Sequence, residues 1–70
     1  MEISKGNQKA IINREIEMWS NSKYQLIVQH KVLKSIDDDR TRIEAIEKEL
    51  IKCEKALDVL NGMLNELSGG

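Results

Sequence analysis

Apolar residues in the second half of the chain recur at alternating steps of three and four: Ile43, Ile46, Leu50, Cys53, Leu57, Leu60, Leu64 and Leu67. Only a helix gathers such a series onto one face, and a repeat averaging 3.5 residues is that of helices packed side by side. The positions between are charged, with Glu44 and Lys48 at the favourable four-residue spacing. Gly62 interrupts the pattern at a cost of about 1 kcal/mol relative to alanine. It marks either the close approach of another helix or a tolerated surface position. Gly69 and Gly70 close the segment, as glycines do at helix C-termini.

The first half carries a similar but less pure stripe, Ile12, Ile16, Trp19, Lys23, Leu26, His30 and Leu33. A second apolar line runs through Ile11, Met18, Val28 and Val32. Together they cover more of the helix than one partner helix can bury, which predicts assembly beyond a single hairpin. Ser4 and Asn7 are both good N-caps for its start. The break falls in Ser35-Ile36-Asp37-Asp38-Asp39, because aspartates suit a helix N-terminus through capping and the dipole. The expected elements are helix 1 over about 6–35, a turn near 36–38 and helix 2 over about 38–67. Two rods of equal length around a short connection read as an antiparallel αα-hairpin. The alternative is one continuous helix through the aspartates. The fold class is all-α, one hairpin domain over 1–70, assembling into a homo-oligomeric bundle.

Size strengthens the case for assembly. Seventy residues form at most one domain, and a lone core of that size is marginal without disulfides, metal or partner subunits. One cysteine forms no internal bridge, and one histidine with one cysteine makes no structural zinc site. No metal or cofactor is expected. Calcium binding by the three aspartates lacks the glycine and bidentate glutamate of an EF-hand loop. Absence of proline and an aromatic content of 3% argue against a sheet. The opening Met1-Glu2-Ile3-Ser4-Lys5 lacks a signal-peptide core, and no run is long and apolar enough for a membrane span. A cytoplasmic protein with a reduced thiol is expected.

The net charge of −1 conceals a division, with residues 1–34 at +3 and residues 35–70 at −4. Opposite charges on adjacent helices explain this simply; a basic surface facing an anionic ligand is the alternative. Lys23 and His30 sit one heptad apart on the main stripe of helix 1. Polar residues there commonly fix register and oligomer state. In a register symmetric about Asp38, Lys23 falls near Cys53 and His30 near Ile46, neither of which neutralises a cation. Their charge must then reach solvent, another subunit or a ligand.

The only aromatics lie close by, Trp19 on the stripe facing Leu57 and Tyr24 beside it. With Arg14, Asn21, Lys23, His30 and Lys31 they form a candidate ligand set. Aromatic faces stack on bases, cations hold phosphates, and amides or hydroxyls such as Ser22 read base and ribose edges. Arg40 and Arg42 at the start of helix 2 could complete an anion site, but the neighbouring aspartates oppose it and pairing with them is favoured. Catalysis is not expected: Cys53 belongs to the leucine stripe, and His30 lies about 10 Å from it along the hairpin.

The segments Asn13-Arg14-Glu15-Ile16-Glu17-Met18-Trp19 and Cys53-Glu54-Lys55-Ala56-Leu57-Asp58 resemble short helical proteins of bacteriophages and prophages. That group includes oligomers that sequester nucleotide signals of bacterial immunity, such as cyclic dinucleotides or cyclic ADP-ribose derivatives. The resemblance implies a non-enzymatic anti-defence sponge that binds such a molecule between subunits in the host cytoplasm. The alternative is a scaffolding bundle that binds a partner protein. Architectural likeness to the Rop family of RNA-binding hairpin dimers adds RNA as a lesser alternative, which the acidic balance disfavours; DNA is not expected.

Overall fold

The computed structural model describes residues 3–36 and 40–69. Two helices account for nearly all of them: α1, Lys5–Ser35, and α2, Arg40–Gly69. They pack against each other along their length as an antiparallel hairpin, which excludes the continuous helix. Ser4 rather than Asn7 is the N-cap of α1. Its backbone is extended and its hydroxyl accepts from the Asn7 N–H at 3.2 Å. Gln8 reinforces that end by donating from Nε2 to the Ile3 carbonyl at 2.8 Å. At the other end the Ile36 N–H donates to the Val32 carbonyl at 3.1 Å, and the Ser35 hydroxyl to the Lys31 carbonyl at 2.9 Å. Together they occupy two carbonyls of a last turn that has no glycine to close it. The expected capping by Asp37, Asp38 and Asp39, and a helix 2 beginning at 38, lie outside the described residues. α2 runs to Gly69, two residues beyond the expected 67.

The hairpin is a rod of 51 × 20 × 14 Å. Its radius of gyration is 16.0 Å, where a compact 70-residue domain has about 11 Å. The consequence for the core is severe. Among the described residues only Ile12, Leu33 and Cys53 are buried. The rest of the stripe is half-buried: Ile16, Trp19 and Leu26 on α1, and Ile43, Ile46, Leu50, Leu57, Leu60, Leu64 and Leu67 on α2. Each of these side chains touches one neighbouring helix, and a second layer is needed to close the other side. A Cβ added at Gly62 meets nothing within 4 Å, so no helix of the hairpin approaches there and the position is open surface.

Candidate functional site

The seven candidate ligand residues fall into two groups that do not converge. Trp19, Lys23 and His30 belong to the seam between the helices, and all three are half-buried. Arg14, Asn21, Tyr24 and Lys31 lie on the outer side of α1 and are exposed. Their spacing, filled in by Glu17 and Val28, again alternates three and four, a stripe turned away from α2.

In the seam the expectation for the cations is corrected. His30 Nε2 lies 3.0 Å from the Glu47 carboxylate, and Lys23 Nζ lies 3.9 Å from that of Glu54. Both partners stand one residue further along α2 than the register symmetric about Asp38 places them. Both side chains therefore meet carboxylates of their own chain, which the expectation had not provided for. With side-chain exposure of 20% for His30 and 34% for Lys23, the pairs sit at the water boundary. Pairs of this kind contribute roughly 0–1 kcal/mol, and 3.9 Å is at the outer limit of an ion pair. Their use is registration: two cations seven residues apart match two carboxylates seven residues apart, and sliding one helix by a residue breaks both.

Cys53 is 2% exposed and free. His30 stands opposite Glu47, six residues from Cys53 along α2 and so about 9 Å away by helical rise. The two are not a nucleophile–base pair. Among the described residues, no three His, Cys, Asp or Glu side chains gather closely enough to hold a metal ion. No described helix is long and apolar enough to cross a membrane.

The outer stripe is different in kind. The side chains of Arg14, Asn21, Tyr24 and Lys31 have no hydrogen-bond or ion-pair partner among the described residues. Tyr24 is 68% exposed, the most exposed of the large hydrophobic side chains among the described residues. The stripe is long, however. Arg14 and Lys31 are about 25 Å apart by helical rise, so one small molecule spans only part of it. A closed site needs a second surface facing this one.

Sequence reasoning passed over the two flanks of the hairpin. Glu47 and Glu54 define a polar flank. On the opposite flank are two shallow grooves of about 350 and 360 Å³. Gln8, Ile11, Ile12, Met63, Glu66 and Leu67 line the first, near the open end. Val28, Gln29, Val32, Leu33, Arg42 and Ile46 line the second, near the turn. The signal was present in the heptad spacing of Ile11, Met18, Gln25 and Val32, which puts all four on this flank. No protein-family model, curated protein or solved structure matches the chain.

Proposed function

We propose that this chain is a non-enzymatic binding protein that captures a small anionic, nucleotide-derived molecule between copies of itself and holds it without turnover. Such a role is that of the phage-encoded sponges the sequence resembles, acting in the host cytoplasm. The observation that supports it is the outer stripe of α1, where two unpaired cations, Arg14 and Lys31, flank the exposed Tyr24 ring and the Asn21 amide. A ring that stacks on a base, a cation for a phosphate and an amide for a base edge are the elements of nucleotide recognition. Lys23 and His30 leave the ligand set, since their charge is answered by Glu54 and Glu47. Trp19 leaves it as a seam residue. A net charge of −1 with the negative excess on α2 fits a small ligand better than RNA or DNA.

Titration calorimetry with cyclic dinucleotides and cyclic ADP-ribose derivatives tests the reading. Tyr24→Ala or Lys31→Ala should weaken binding at least tenfold, and Lys23→Ala should change it less than threefold. Mass spectrometry of the denatured complex should return the ligand intact. Absence of heat across the panel refutes capture, and recovery of a cleaved ligand refutes the non-enzymatic reading.

A second reading is a scaffold that takes a partner protein's helix. The observation favouring it is the apolar flank, since amphipathic helices dock into grooves of that character. A stable, stoichiometric protein partner whose binding survives Tyr24→Ala and Lys31→Ala would favour it over capture.

A further inference from the structure

We infer that the flank opposite Glu47 and Glu54 is where a second copy of this chain docks, with the two hairpins running antiparallel. Three observations carry this. The first is the distribution of exposed apolar side chains. Counting from the His30–Glu47 and Lys23–Glu54 pairs, Val59 stands level with Met18 and Met63 level with Arg14. Ile11 and Met63 line one groove and Val32 the other, and seven- and four-residue steps put Met18 beside Ile11 and Val59 beside Met63, so the five share one flank, each 45–63% exposed. The opposite flank carries Glu44, Glu47, Glu54 and Asp58 from α2 with the exposed Ile51 among them, and the half-buried Ile27 from α1.

The second observation is area. The hairpin exposes 5643 Å², whereas a compact monomer of 8.0 kDa exposes about 4,450 Å². The surplus of roughly 1,200 Å² exceeds the ~800 Å² that each partner contributes to a standard interface. A second copy supplies a surface of the same length and character and closes the half-buried seam residues Ile12, Leu33, Ile46 and Leu67 from the side of the two grooves.

The third observation is charge, which selects the orientation. Glu15 and Glu66 lie toward the open end of this flank; Arg42 and the paired Glu49 and Lys52 lie toward the turn, which leaves the open half at −2 and the turn half at +1. Docking with both open ends together stacks four carboxylates, and like charges across an interface are costly. Reversing one hairpin separates them. It also places Ile11 of one copy by Val32 of the other, and leaves the small Ser22 and Ala56 near the two-fold axis, where backbones approach most closely. The symmetry is isologous and closed, so a dimer results rather than a filament.

The inferred contact is on the apolar flank and not on the outer stripe that the proposed capture uses, and it is tested without ligand. Light scattering at 100 μM should give about 16 kDa or a multiple of it for the unmodified chain. Met18→Glu should move the mass to 8 kDa or weaken association at least tenfold, and Ile51→Glu on the opposite flank should leave it unchanged. Because Met18→Glu could also unfold a dissociated hairpin, cross-linking of folded chains supplies the second arm. An equimolar mixture of Ile11→Cys and Val32→Cys chains should form a disulfide-linked heterodimer under mild oxidation, with neither chain linking to itself. The buried Cys53 should leave the unmodified chain unlinked. An 8 kDa mass overturns the inference and transfers the flank to a different polypeptide. Linkage of Ile11→Cys to Met63→Cys chains instead overturns the antiparallel orientation. Loss of nucleotide binding with this dimer intact refutes capture and leaves the interface standing.

Discussion

Lys23 and His30 show how a single residue can be read correctly in position and wrongly in purpose. Their place on the seam stripe follows from spacing alone, and the structure puts them there. What spacing did not convey is that Glu47 and Glu54, which flank the stripe of α2, reach across to them. The matching seven-residue intervals were visible, but flanking carboxylates on a coiled-coil surface are usually solvated, so nothing singled them out. These pairs supply register more than stability. Converting both residues to leucine removes two partly desolvated polar side chains and adds apolar contact to Cys53 and its neighbours on the stripe. Lys23→Leu/His30→Leu should therefore raise unfolding stability by about 1–2 kcal/mol in urea titration. It should also broaden the register, seen as mixed masses by light scattering. A loss of stability would show that the pairs do more than align the helices. Gly62 makes the complementary case. With open space around it and helical neighbours, Gly62→Ala should add about 0.5–1 kcal/mol on the same measurement. A destabilising effect would place another helix against that position.

The two helices differ in legibility because they differ in how many faces they bury. α2 has one apolar stripe and a charged remainder, and its period-3.5 signal is unambiguous. α1 carries apolar residues on the seam, on the apolar flank and at Tyr24 and Val28 outside, so no single periodicity dominates. Its helical character was nonetheless readable from the absence of glycine and proline across Asn7–Ser35, and capping chemistry narrowed its start to Ser4 or Asn7. Its candidate site was less readable. Seven residues that look concentrated over positions 14–31 are divided by helical geometry between the seam and the outer stripe, because Trp19 and Lys23 face α2 whereas Asn21 and Tyr24 face away. Sequence proximity on a helix gives proximity in space only at three- and four-residue steps. The chemistry proposed for the outer stripe therefore belongs to α1 as an element, and a site assembled from it requires the surface of another chain.

At the scale of the whole molecule, the decisive feature is a rod with three buried residues among those described and a stripe that is otherwise half-buried. Ordering each helical residue costs roughly 1–2 kcal/mol of conformational entropy, and a half-buried stripe sets less apolar burial against that than a closed core does. The expectation of self-association came from composition, where chain length, a lone cysteine and a surplus of apolar positions left it as the remaining source of stability. Which flank of the hairpin is the more apolar was not legible, because it depends on how α2 pairs with α1. If folding and dimerisation are one event, the melting temperature must depend on concentration. Unfolding two 70-residue chains near 60 °C absorbs on the order of 100 kcal/mol, at about 0.7 kcal/mol per residue. Mass action then predicts a rise of about 5 °C for each tenfold increase in protein concentration. Circular dichroism at 1, 10 and 100 μM reads this directly. The Met18→Glu chain, if it retains helix at all, should melt lower and without that dependence. A concentration-independent melt of the unmodified chain would mean that two half-closed helices are stable alone, and the surplus apolar flank would then have to serve a partner met only after folding.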